Sequence, residues 1–172
     1  MNCPYKGKFK VTSPQGYRTL LGKREYHDGL DLVGLENKTI YSTVSGTVEV
    51  ANYENAKNKK QGFGLYVRIK KNNSSDRYYF AHLSNVYVTK GQKVSAGDAL
   101  GVEGNTGFST GAHCHYCVRG NASKSKVRNI TEISGIPNKK GIYENKVKND
   151  KEKETKKETT KDKKSDTTIA KE

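Results

Sequence analysis

The sequence predicts a mainly β fold, an antiparallel sheet of short strands. Apolar and polar residues alternate over short runs, clusters of Gly, Asn and Ser separate those runs, and no segment sustains an apolar period of 3.6. Composition agrees. The chain has 17 Gly and 11 Tyr beside a single Met and no Trp, which favours turns and strands over long aliphatic helices.

The strands can be taken in order. Tyr41 to Val50 alternates around Gly46, with Val44, Val48 and Val50 expected on one side. Gly64 to Lys70 sets Leu65, Val67 and Ile69 against Tyr66 and Arg68. Arg77 to Leu83 continues the pattern, and Ala112 to Arg119 reads as a further strand. Asn72-Asn73-Ser74-Ser75 and Gly104-Asn105-Thr106-Gly107 are the turn signals. The stretch His27-Asp28-Gly29-Leu30-Asp31-Leu32 also reads as one strand. Gly29 costs a helix about 1 kcal/mol, and strand alternation places Leu30 and Leu32 opposite His27 and Asp31.

Residues 1–137 are expected to hold one domain, globular from about Phe9 to Pro137. From Asn138 to Glu172 the chain turns to Lys, Glu, Thr and Asp. Such a composition buries too little apolar surface to offset its ordering entropy, so a disordered tail or linker is expected. With 32 basic and 18 acidic residues the net charge is +14, most of the excess lying before Asn138. A basic surface attracts polyanions. The sequence shows no nucleic-acid recognition block of mixed basic and aromatic residues, and no apolar stretch long enough to span a membrane. Met1 to Lys10 lacks the apolar segment of a secretory signal. The three cysteines, Cys3, Cys114 and Cys117, form neither a disulfide framework nor a complete Cys-zinc set.

Four histidines remain: His27, His82, His113 and His115. His113 and His115, two apart on a strand, share a face roughly 6.5–7 Å apart; on a helix they would diverge by about 200°. His27 and Asp31, four apart, also share a face. His82 ends a strand in Tyr79-Phe80-Ala81-His82-Leu83, where Phe80 and Leu83 are expected to pack. Taken singly, each has an ordinary explanation as a surface or satisfied core residue. Taken together, no histidine lies outside these motifs.

The pattern resembles the lysostaphin-like (LytM-type) zinc endopeptidase family. That family has a His-x-x-x-Asp motif, a later His between an aromatic-Ala pair and Leu, and a His-x-His after Ser-Thr-Gly. Here they read His27-Asp28-Gly29-Leu30-Asp31, Phe80-Ala81-His82-Leu83 and Ser109-Thr110-Gly111-Ala112-His113-Cys114-His115, in the same order. The likeness runs from about Val11 to Pro137. It departs where Ala112, Cys114 and Cys117 replace the usual Pro, Leu and Glu.

The resemblance implies a duplicated-hybrid-motif β fold and a zinc-dependent endopeptidase acting on peptide cross-links or stem peptides of bacterial peptidoglycan. It implies one Zn2+ per chain on His27, Asp31 and His115. His113 is expected as the main general base and His82 as the group that steadies the oxyanion or protonates the leaving amine; spacing alone does not order the two roles. Tyr17, Tyr66, Tyr78 and Asn105 are expected substrate contacts, and the loops Asn52 to Gly62 and Lys71 to Asp76 are expected groove walls. Cys117 is expected to pack at the site edge. Anionic wall polymers are expected partners of the basic surface. Without a recognisable leader, such an enzyme would reach the wall through a lysis system or on a phage particle, as an endolysin or virion-associated lysin, or stay cytoplasmic until release. The competing readings are a catalytically inactive relative that binds walls or activates another hydrolase, an amidase cutting the sugar–peptide link, and a nucleic-acid-binding protein.

Overall fold

The structure is a computed structural model and describes residues 1–146. Twelve strands and one short helix follow one another: β1 (Gly7–Ser13), β2 (Gly16–Leu20), β3 (Lys23–His27), β4 (Gly29–Gly34), β5 (Thr39–Tyr41), β6 (Gly46–Tyr53), β7 (Leu65–Lys71), β8 (Asp76–Val86), β9 (Lys93–Val94), β10 (Ala99–Glu103), β11 (Cys114–Gly120), α1 (Ile130–Ser134) and β12 (Gly141–Asn145). Every strand pairing is antiparallel. Ten strands join one sheet in the order β12-β1-β4-β11-β8-β7-β6-β9, with β10 bridging β5 and β8; β2 and β3 form a separate hairpin. Among the described residues no helix is long and apolar enough to cross a membrane.

Strand alternation divides the sheet into two faces. Leu30 and Leu32 of β4, Cys114, Tyr116 and Val118 of β11, Phe80 of β8, and Val67 and Ile69 of β7 pack on one face with Phe9, Val11, Ile40 and Leu83. Each aliphatic or aromatic side chain fully buried there contributes roughly 1.5–3 kcal/mol. The residues between them, Asp31, His115, Cys117, Tyr79 and Ala81, look the other way. That second face has only a small apolar cluster of Tyr66, Tyr79, Ala81 and Cys117, flanked by Val50 and Phe63. It is the face left for chemistry.

Several expectations are corrected by the structure. His27 and Asp31 do not share a strand: β3 ends at His27, β4 starts at Gly29, and Asp28 is the joint between them. Gly29 matters here for closeness more than for helix avoidance. A Cβ there would stand 2.3 Å from the Tyr116 carbonyl oxygen and 2.6 Å from Cys117 Cβ, so only glycine lets β4 lie against β11. Gly29→Ala should therefore force the strands apart and cost about 1–3 kcal/mol, read as a lowered midpoint in urea or thermal unfolding.

The Tyr41–Val50 run is likewise two strands, because residues 42–45 cross between β5 and β6. A bulge between Val48 and Val50 then turns Val50 from the core to the second face. The helix α1 was not foreseen. Asn129 caps it, its Oδ1 accepting from Thr131 N (3.1 Å) and Glu132 N (3.2 Å), and Gly135 closes it in a left-handed turn.

Order also runs past Pro137. Gly141–Asn145 adds β12 to the sheet edge, Gly7 pairing with Asn145 and Val11 with Gly141, and Tyr143 lies against Phe9 at 6.0 Å between ring centroids. Backbone pairing and one ring on the core outweigh the polar composition of that segment. The rest of the expected tail, residues 147–172, lies outside the described residues.

Candidate metal centre

Five side chains that carry chemistry meet on the second face. Asp31 reaches it from β4 and His115 from β11, residues that are direct partners in strand pairing. His27 arrives from the end of the separate hairpin. His113 precedes β11, tied by an isolated bridge to Gly104.

His82 needs a special device. Simple alternation would aim it into the core beside Phe80, yet Phe80 and Leu83 both point there. An irregular register between β7 and β8 absorbs the extra residue, and His82 takes a left-handed backbone, φ 63°. That conformation is costly for a residue with a Cβ and recurs at functional sites. It swings the imidazole onto the cleft side.

The hydrogen bonds fix which ring nitrogens carry protons. His27 Nδ1 lies 2.8 Å from the Pro14 carbonyl, which can only accept, so Nδ1 donates and Nε2 holds a lone pair when the ring is neutral. His115 Nε2 lies 2.9 Å from Asp28 Oδ1, leaving Nδ1 free. These two bare nitrogens lie 3.0 Å apart. Asp31 Oδ1 completes the triangle at 3.1 Å from His27 Nε2 and 2.9 Å from His115 Nδ1. Three buried lone pairs converge on one point, an arrangement that repels itself unless a cation sits among them. The edges come within a few tenths of an ångström of the roughly 3.3 Å that separates donors around tetrahedral zinc. The donor set, two imidazoles and a carboxylate, suits that ion.

The electrostatics agree. Burial pushes the Asp31 carboxyl up, but the rings of His113, His115 and His27 outweigh burial and hold it far below the usual carboxylate range. Burial pulls His115 down, yet Asp28 and Asp31 on its two sides raise it well above an ordinary histidine. Both shifts mark a point that favours positive charge. Asp31 Oδ2 is held separately by Arg18 Nη1 at 3.0 Å, and Arg18 is itself held by Glu25.

His113 and His82 complete the site. His113 Nδ1 donates to Gly111 O at 2.7 Å, and its Nε2 stands 3.4 Å from Asp31 Oδ1. His82 Nδ1 donates to Thr106 O at 2.7 Å. Their ring centroids are 4.7 Å apart. Burial, aided by the nearby His113 and His115, lowers His82 to about 3, so it is neutral in neutral solution. His82 therefore turns an unprotonated Nε2 to the cleft.

The site lies in a cleft between two walls. The hairpin forms one wall through Arg18, Glu25 and Tyr26, and Glu54, Gly62, Phe63 and Phe108 form the other. It continues past His113 into a hollow lined by Gln15, Tyr17, Ala112 and Lys140. Of the expected walls, the 52–62 loop takes part and the 71–76 turn does not.

The expected substrate contacts separate in the same way. Tyr17 is exposed at the hollow, edge-on to Tyr26. Tyr78 belongs to the main core and cannot reach the cleft. Tyr66 is buried, stacked on Tyr79 and packed beneath Phe63. Alternation alone does not show that each face of this sheet is covered, so it cannot tell a groove contact from a packed tyrosine. Asn105 lies outside the cleft lining; its Oδ1 accepts from Ser109 Oγ at 2.6 Å and braces the turn before His113. Sequence reading missed Asp28, Arg119, Arg18 and Phe63. Cys117 is fully buried beside His115, where burial raises its thiol.

A three-donor set of two imidazoles and a carboxylate in a cleft is an arrangement that metal-dependent hydrolases use. Within that class, the chain belongs to peptidase family M23, which matches residues 25–127. It is 33% identical over 142 residues to the peptidoglycan DD-endopeptidase ShyA of Vibrio cholerae, a match covering 79% of this chain and 31% of that protein. The chain thus spans under a third of that curated relative. Among solved structures it resembles the catalytic domain of the antimicrobial peptidase lysostaphin from Staphylococcus simulans, with 26% identity and a TM-score of 0.62, covering 74% of this chain and 92% of that one. It also resembles a zinc-containing peptidase from Vibrio cholerae, with 30% identity and a TM-score of 0.52, covering 70% of this chain and 34% of that one.

Proposed function

We propose that this chain is a zinc-dependent endopeptidase that hydrolyses peptide bonds of bacterial peptidoglycan. The observation that carries the reading is the convergence of three buried lone pairs, from His27, Asp31 and His115, beside the two further imidazoles of His82 and His113. Family membership supports the substrate class, as do the names of the relatives. The cleft that runs on past His113 into the neighbouring hollow leaves room for an extended peptide.

His27, Asp31 and His115 would hold the ion, one per chain. Zinc there supplies a Lewis acid for a peptide carbonyl and lowers the pKa of water toward neutrality. The remaining steps fall to the protein. His113 Nε2 stands 3.4 Å from Asp31 Oδ1, beside the donor triangle, with its Nδ1 turned to Gly111 O, and takes the proton of the attacking water. His82 starts as a lone-pair donor as well, because Thr106 holds its only N–H. It can therefore steady an oxyanion or protonate the leaving amine only after gaining a proton at Nε2. The close pair of rings allows such a transfer. The hairpin wall and the Phe63–Phe108 wall confine an extended peptide between them. The basic surface draws the chain to anionic wall polymers, and the site of action is the bacterial cell wall.

The test is cleavage of purified peptidoglycan by the full chain, with and without chelator, and identification of the products. New peptide amino termini that vanish on chelation and return with zinc are the expected result. Binding without cleavage would make the chain an inactive wall-binding relative. Release of intact stem peptides from the sugar would make it an amidase, and cleavage indifferent to chelator would end the metal reading.

A further inference from the structure

Asp28 lies outside the metal triangle, yet it is one of the most constrained carboxylates in the structure. Its Oδ1 accepts from His115 Nε2 at 2.9 Å, while its Oδ2 takes the guanidinium of Arg119 through Nε at 2.7 Å and through Nη2. Arg119 is itself buried, its guanidinium 5.0 Å from the ring centroids of both Phe63 and Tyr79. A chain of contacts thus runs from two aromatic rings through Arg119 and Asp28 to His115.

We propose that Asp28, clamped by Arg119, is the positioning residue of the metal centre, fixing His115 with Nδ1 bare toward His27 and Asp31 and strengthening that nitrogen as a ligand. The proposal rests on the metal reading of the same site.

Three arguments lead to it. A neutral imidazole has one ring proton, and Asp28 keeps it on Nε2, so Nδ1 faces the triangle with its lone pair. A carboxylate on the far nitrogen makes the ring a better donor, and such outer partners set metal affinity. Arg119 grips Asp28 Oδ2 with both Nε and Nη2 and stops the carboxylate from rotating into the triangle as a competing ligand. The chain path adds a further constraint. Consecutive residues at the β3–β4 joint flank His115 on both sides, His27 Nε2 at 3.0 Å from Nδ1 and Asp28 holding Nε2. Asp28, His115 and Cys117 also lie close enough together to be considered as a ligand set of their own. However, both Asp28 oxygens are engaged, and the free nitrogen of His115 faces the other way.

The test is metal affinity, measured on the full chain stripped of metal and titrated against a chromophoric chelator, with the visible absorption of the cobalt(II) form as a second readout. Asp28→Asn keeps the size and loses the charge. It should weaken zinc binding about 10–100-fold and shift the cobalt spectrum, with far-UV circular dichroism unchanged. Asp28→Glu should recover part of that loss. Arg119→Gln leaves the carboxylate but frees it, and should weaken binding in the same direction by less. Wild-type zinc affinity and an unshifted cobalt spectrum in Asp28→Asn would overturn the proposal. Should Asp28→Asn not fold, unchanged affinity in Arg119→Gln would do so. A wild-type chain that binds no zinc would instead remove the metal reading, and this inference with it.

Discussion

Asp31→Ala is expected to lose zinc and peptidoglycan cleavage together. Asp31 Oδ1 meets His27 Nε2, His115 Nδ1 and His113 Nε2 within 3.4 Å, and Oδ2 holds Arg18. Alanine would leave two bare nitrogens facing each other with no anion between them, and would leave Arg18 with Glu25 as its remaining carboxylate partner. A divalent ion would then meet only neutral donors near the Arg18 guanidinium. The loss in affinity should exceed the roughly 10–100-fold that removal of an outer partner costs, so the purified variant should carry almost no zinc, measured per chain by elemental analysis. Cleavage should fall to the uncatalysed background. A variant that kept one zinc per chain would show that Asp31 is not a ligand.

The second large effect separates turnover from metal. His113→Ala and His82→Asn should each lower kcat about 10²–10⁴-fold while zinc content stays at the wild-type level. Asparagine suits position 82 because it tolerates the left-handed backbone at φ 63°, so a loss of rate there reports the imidazole and not the bulge. The two rings are 4.7 Å apart and share one proton inventory, so the double variant should be little worse than either single one. Additive losses in the double variant would mean that the rings act in separate steps. Zinc loss in either single variant would move that ring into the ligand set.

Much of this was legible in the sequence. The alternation of Leu30 and Leu32 against Asp31, and of Cys114 and Tyr116 against His115, is visible in the chain and is what the sheet uses. Local period says which face a residue takes as long as the strand is regular. It failed where the backbone breaks its own rule. The bulge at His82 aims a residue that alternation would bury, and the joint at Asp28 turns to the cleft a side chain that alternation would turn away. Neither is a local property, since each depends on what the neighbouring strand leaves room for, as the Tyr116 carbonyl does for Gly29.

Tyr66 and Tyr78 failed for a related reason. A tyrosine on a strand looks the same whether its face is wet or covered by Phe63 or the main core. The helix α1 did carry a signal, Asn129 three residues before Glu132, but five residues are too few to show a period. β12 sits in a polar segment whose only apolar residues are Ile142 and Tyr143, so composition outvoted a pairing that only β1 could reveal.

The hairpin β2–β3 shares no backbone ladder with the larger sheet. A two-stranded ribbon alone is only marginally stable, and this one is moored by side chains, Arg18 to Asp31 and His27 to the triangle. An ion chelated by His27 on one side and by Asp31 and His115 on the other is then a cross-link between ribbon and slab, and its binding energy is also anchoring energy. Without the ion the ribbon would lose that anchor, so a bound metal would hold one wall of the cleft in place as well as act within it.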